Sequence, residues 1–502
     1  MNISKLASTW GMSALLLCGC SITPEALTPD EVQQAAIADM DSMFIDQEPV
    51  SGPISLYEAI ARAVKYNLDH RLKMMEDALA RKQLDLVRYD QLPELTASAG
   101  YYSRNNFSGG TSIALENDPQ TGIGRGDESL QASTSSEKDV TDASGILVWN
   151  VLDFGVSYVR GQQQSKEVLI TEERRRKVVQ NVVQDVRYAY WRAVSAQHLL
   201  DTMDDLLDRT YAALKDSRQL ESLRLQAPIQ SLSYQKALLE IIQDMWLYRR
   251  DLATAKTELA ALMNLKPGTP YTVVDPAGDL TLPAIDRFGT MDTLEEYALF
   301  NRPELMEERY QVQISNMEVR KAMLEMLPGL EFNVGGLHNS NDLLWKNSWA
   351  EAGVNISWNL FQVFSGPANK KVAETQVELD NARRLALSMA VITQVHLAHQ
   401  RYQMAVSDFK VTRDLVSVEK RIQQHMEAEQ KAAVENELAV IQSMASSMAA
   451  QMQHDLGYAE VQNSIGRILN SVGVDPLPGV DINQDVSTLA AIIEARLNQK
   501  SL

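Results

Sequence analysis

Two hydrophobic periods run along this chain, and each occurs twice. The shorter has a period of two. Ala352, Val354, Ile356, Trp358 and Leu360 are apolar, and Gly353, Asn355, Ser357 and Asn359 separate them. Leu330, Phe332 and Val334 alternate in the same way with Glu331, Asn333 and Gly335. Such alternation predicts strands with one greasy and one polar face, over the roughly 9 to 11 residues that a tilted membrane strand needs. Phe332, Val334, Val354, Ile356 and Trp358 form the expected lipid-facing stripe. A soluble, half-buried sheet shows the same alternation, so the pattern alone leaves both settings open.

The longer period is that of a coiled coil. Val179, Val182, Val186, Ala189, Ala193, Ala196, Leu200, Met203, Leu207, Thr210 and Leu214 keep three-four spacing without a slip. Val391, Val395, Ala398, Tyr402, Ala405, Phe409, Thr412 and Val416 do the same. Sustained heptads specify helix-on-helix packing. Residues 162–227 contain no proline or glycine, and these 66 residues would span roughly 100 Å as a helix. No compact globule needs such a helix.

The two periods are arranged as two copies of one unit. A helical stretch closing in Leu92-Pro93 precedes Leu95 to Gly100, and one closing in Leu327-Pro328 precedes Leu330 to Gly335. Val148-Trp149-Asn150-Val151 matches Ser357-Trp358-Asn359-Leu360, each followed by a glycine (Gly155, Gly366) and a long helical run. The expected organisation is therefore a leader over 1–19, an acidic segment over 20–54, and a first repeat over 55–266. A proline-rich link follows over 267–290, then a second repeat over 291–475 and a C-terminal segment over 476–502. Strands are expected near 95–104, 142–152, 330–338 and 350–361, and helical hairpins over 156–266 and 367–470. Residues 104–141 read as a long polar loop. Trp149, Trp345, Trp349 and Trp358, four of seven tryptophans, cluster at the strands as interfacial girdles would.

Lys5 and the short apolar run that follows resemble an export signal, too short to span a bilayer. It ends in Leu17-Cys18-Gly19-Cys20, which fits a lipobox with Cys20 as the lipid-bearing residue; Cys18 follows a bulky leucine and fits poorly. A plain secretory signal with incidental cysteines is the alternative. Cleavage there leaves no other cysteine for a disulfide or metal site. The formal charge of -19 disfavours nucleic acid and anionic surfaces as partners. His396 and His399 sit three apart on a helix without a third ligand at metal spacing. Gly122-Ile-Gly124-Arg-Gly126 precedes neither a strand nor a helix in a phosphate-binding order. No catalysis, cofactor or metal is expected.

Four strands cannot close a barrel in lipid, where open edges leave backbone groups unsatisfied at several kcal/mol each. Several copies must share one wall, and the helices would continue it as a tube. At this point the sequence resembles the TolC family of outer-membrane efflux and secretion proteins, its lipoprotein branch in particular, over about residues 55–475. The resemblance implies an α+β membrane protein. It would be a homotrimeric transmembrane β-barrel with four strands per chain, continued by a long periplasmic α-helical coiled-coil barrel. It also implies a periplasmic adaptor and an inner-membrane transporter as partners. The function implied is a passive duct for small-molecule efflux, or the outer-membrane component of type I protein secretion. A non-channel periplasmic scaffold lipoprotein is the reading from another class.

The hairpin tips depart from the family's pattern, which places a glycine and then an aspartate six residues on. Here those positions hold Ala227 and Ser233, and Ala433 and Ala439. Adaptor docking at Leu225, Ala227, Pro228 and Ile229, and at Ala433, Val434 and Leu438, thus follows from position alone. Glu427, Glu429, Glu435 and Glu437 crowd the second tip and are the candidate gate; a solvated acidic tip is the simpler alternative.

Overall fold

The computed structural model describes residues 25–119, 122–223, 227–274, 280, 282, 289–432 and 437–497. Ten α-helices, one short 3-10 helix (Tyr89–Gln91) and eight strands occur among them. After α1 (Pro29–Met43), which buries no residue, come α2 (Leu56–Tyr66), α3 (Leu68–Val87) and β1 (Glu94–Ser103). Next come β2 (Gly109–Gly110), β3 (Ile113–Asp118), β4 (Gly122–Glu128), β5 (Ser133–Thr134) and β6 (Asp139–Asn150). The first hairpin is α4 (Val151–Ser222) with α5 (Pro228–Leu262). The second half repeats the plan with α6 (Met291–Asn301), α7 (Pro303–Leu324), β7 (Gly329–Asn339), β8 (Ser348–Ser357), α8 (Gln362–Lys431) and α9 (Glu437–Val472); α10 (Val486–Leu497) closes the described chain.

β1, β6, β7 and β8 form one antiparallel sheet in the order β1-β6-β7-β8. Its two outermost strands each pair on one side only. The segment expected to be a loop between β1 and β6 carries two small two-stranded sheets, β2 with β5 and, nested between them in the chain, β3 with β4. The glycine-rich run 122–126, expected to be part of that loop, lies within strand β4, paired antiparallel to β3.

The helices form a wall that changes partners along its length. Near the sheet, α3 packs on α4, α4 on α7, and α7 on α8. Further away, α5 packs on α4, α4 on α9, and α9 on α8. Where α9 ends, α7 begins, so the two share one lane of the wall. Gly473 makes that junction possible: its φ is +80°, and a Cβ there would meet the Asn301 carbonyl oxygen at 2.7 Å. α2 and α10 pack on the wall around Val186 and Ala193, and α6 packs around Val395 and Ile468. The link between repeats joins that layer through a parallel bridge of Val273 to Ile54. Nearly every heptad position is buried, with Leu200 and Thr412 half-buried. No helix among the described residues is long and apolar enough to cross a membrane.

The strand-to-helix boundary moves in both repeats, each time at the asparagine that follows a tryptophan. In the first repeat, the Asn150 side chain accepts from the Leu152 and Asp153 amides, capping α4 directly at the end of β6. The long helix therefore starts at Val151 rather than near 156, and Trp149 stays in the strand. In the second repeat, Asn359 instead accepts from the Phe361 amide at 3.1 Å and forms a turn. The strand ends at Ser357, so Trp358 and Leu360 lie beyond it, and α8 starts at Gln362 rather than near 367.

Candidate functional site

Register assigns each strand residue to a face, because directly paired residues share one. Phe332 pairs with Trp149 and Val354, Val334 with Leu147 and Ala352, and Leu147 with Leu95. These side chains cover one face of all four strands. The face is bare: Val354 is 61% and Ile356 75% exposed. The opposite face is polar. Ser98 and Ser144 hydrogen bond across strands at 2.8 Å, Asn355 donates to Glu331 at 3.3 Å, and Asn339 donates to Asp142.

Phe332, Val334, Val354 and Ile356 thus sit where the alternation placed them. Trp358 lies one residue beyond the strand; its indole donates to the Met326 carbonyl at 3.2 Å, bracing the helix that precedes β7 against the turn after β8. The tryptophan cluster also divides. Trp149 lies on the apolar face, with its ring 6.3 Å from that of Phe332. Trp349 pairs with Leu337 on the polar face and donates to Glu351 at 3.2 Å, and Trp345 is fully exposed in the β7–β8 connection.

The two hairpin ends lie at the far end of the wall from the sheet. Leu225, Ala433, Val434 and Glu435 lie outside the described residues, as does Cys20. At the first tip, Ala227 and Pro228 are exposed and Ile229 is 72% exposed, with Leu223 and Leu232 exposed beside it. At the second, Leu438 turns inward onto the hydrophobic cluster formed by α4, α5 and α9. Glu429 is exposed, whereas Glu427 accepts a hydrogen bond from Gln423 at 2.9 Å.

Glu437 is not free. Arg209 on α4 donates to it from Nε at 2.6 Å and from Nη2 at 3.1 Å, and also reaches Gln430 Oε1 at 3.1 Å. Gln430 in turn donates to Glu437. The guanidinium holds the Glu437 carboxyl below the usual carboxylate range. This latch joins the end of the second hairpin to the first. Sequence reading missed Arg209 because its partner lies 228 residues away.

A second unread group lies in the wall near the sheet. Asp380 on α8 is fully buried, and Ser315 on α7 and Gln376 donate to it at 2.5 and 2.8 Å, with Arg383 at 3.4 Å. His396, expected to have no further ligand at metal spacing on its own helix, meets a carboxylate from another: Glu295 on α6 lies 2.7 Å from its Nε2. The pair ties α6 to the wall, and no group of three potential metal ligands occurs among the described residues.

No family model and no curated protein matches the chain in sequence. Its fold is shared with solved structures. It superposes on the Campylobacter jejuni CmeC outer membrane channel with a TM-score of 0.62 at 14% identity, covering 95% of this chain and 98% of that one. For the open state of the Neisseria gonorrhoeae MtrE outer membrane channel the values are 0.61 and 15%, covering 90% and 98%. A membrane protein from Pseudomonas aeruginosa gives 0.63 and 15%, covering 90% and 97%. An amphipathic four-stranded sheet carried on a wall of helices some 70 residues long is therefore the fold of outer-membrane channel proteins, and this chain has it along nearly its whole length.

Proposed function

We propose that this chain is the protomer of an outer-membrane export duct of a Gram-negative bacterium. Three copies of its four-stranded sheet would close one barrel, and their helices would continue it as a tube into the periplasm. The observation that carries the reading is the sheet: apolar and bare on one face, polar on the other, with both edge strands unpaired on their outer side. In water such edges invite aggregation, and in lipid they leave backbone groups unsatisfied. Symmetric closure removes both liabilities. A lipid on Cys20 would add a second membrane attachment, since one acyl group holds a protein only weakly. The exposed apolar tip at Leu223, Ile229 and Leu232 supports docking by a periplasmic adaptor, through which an inner-membrane transporter would deliver small molecules.

The test is assembly and conduction. Detergent-extracted protein should run as a heat-modifiable trimer and open pores in planar bilayers. Val334→Arg, placed mid-band, should cost about 2 to 4 kcal/mol and deplete the trimer, whereas Ile356→Arg, one residue from the strand end, should cost about 0 to 1 kcal/mol. A strictly monomeric protein indifferent to both changes would leave the scaffold reading ahead.

A further inference from the structure

The junction of α9 with α7 holds a cleft of about 440 Å³ between α4 and α8. Lys177, Arg302, Arg401 and Arg467 line it, against a single carboxylate, Glu304. In a chain of formal charge -19, so local an excess of cations is not a consequence of composition. Glu304 is already shared, between Lys177 and Arg302, the latter at 2.8 Å. Arg302 is further occupied by Gln394 at 2.7 Å and the Asn470 carbonyl at 3.1 Å. Arg401 and Arg467 have no ion pair among the described residues, and the Nε of Arg467 is buried without a hydrogen-bond partner among them. Asn181, Gln184 and Asn470 also line it, joined by an amide network of 2.9 to 3.0 Å bonds, and Leu397, Ala398 and Ser471 complete the lining.

The cleft also has a defined face. Leu469 packs against both hydrophobic clusters through which the layer of α2, α6 and α10 meets the wall. Arg467 and Ser471 are each two residues from it, about 200° round a helix of 3.6 residues per turn, so they face away from that layer. In a closed tube carrying that layer outside, this is the bore.

We propose that the cleft is an oxyanion station: it takes a carboxylate, phosphate or sulfate group borne by a molecule passing along the bore. Two guanidinium forks without a carboxylate match an oxyanion's paired oxygens, and charge-assisted bonds of that kind are the stronger ones. The placement in the bore rests on the duct reading; the chemistry of the cleft does not.

The experiment titrates the detergent-extracted full chain with inorganic phosphate at constant ionic strength, by calorimetry. One saturable site per chain is expected. Arg401→Gln combined with Arg467→Gln should weaken it at least tenfold, while Lys420→Gln, in a separate cleft beside Trp191, should leave it unchanged. If the double variant fails to fold, Arg401→Gln alone, at an exposed side chain, should still weaken binding about threefold. Benzoate should compete with phosphate; failure to compete would confine the site to the free inorganic ion and overturn the cargo assignment. No saturable binding, or equal binding by the variants, overturns the site itself. Bilayer conductance of the same samples separates the two readings. Pores without phosphate binding sink the station alone; binding without pores sinks the duct and the placement in the bore with it, and leaves only the oxyanion site.

Discussion

The two helical hairpins are alike in the shaft and unlike at the end. Both shafts bury an unbroken seam, through Leu206, Leu238 and Ile242 in the first and Tyr402, Phe409 and Tyr458 in the second. At the ends, the first hairpin turns through Pro228 with no side-chain cap and exposes Leu223, Ile229 and Leu232. The second turns Leu438 inward and ties Glu437 and Gln430 to Arg209 on the first shaft. Burial fixes the shafts, so they tolerate little variation. The ends are free of that demand, and one has become an apolar surface while the other has become a charged latch.

Substitutions in the shafts and at the ends test this contrast. If the shafts are equivalent, Phe409→Ala and Leu238→Ala should each destabilise strongly, by about 3 to 5 and 2 to 5 kcal/mol, since both side chains are fully buried. Thermal unfolding in detergent would show this, and a loss confined to one hairpin would mean that the shafts differ too. Arg209→Gln should cost about 1 kcal/mol, because both partners of its ion pair are about one-third exposed and screened. Its signature is local: amide exchange should quicken around 426–432 and 437–444 and stay unchanged around 228–236.

Acid should loosen the same latch by a smaller amount. The Glu437 carboxyl lies below its ordinary value when folded, so its contribution is fully present above the unfolded value. It is lost as pH falls through the folded value, and exchange at the second tip should rise there first. The smallest stability effect belongs to the first tip. Ile229→Asp should change stability by less than about 0.5 kcal/mol, yet it should weaken capture of a periplasmic adaptor. Unchanged capture would move docking away from that tip.

Much of this was legible in the residues. Heptads 179–214 and 391–416 fell on buried positions at all but Leu200 and Thr412, because a coiled coil repeats the same local demand at every turn. Register, which depends on the other strand, was less legible. Trp349 fits a girdle by position and lies on the polar face, and Trp358 fits the alternation and lies outside the strand. The latch and the cationic cleft were not legible at all. Arg209 and Glu437, or Lys177 and Glu304, are unremarkable polar positions until folding brings distant turns together.

The order of residues sets the periods: two for the strands, three and a half for the helices, each written twice, and with them an amphipathic sheet and a long wall. These follow from interactions between near neighbours, which recur at fixed spacing. Tertiary structure alone decided which helix replaces which along the wall and which charges meet at the α9–α7 junction. It also decided which of two similar hairpin ends stays open. Those outcomes depend on contacts between residues hundreds of positions apart, and no local period encodes such a contact.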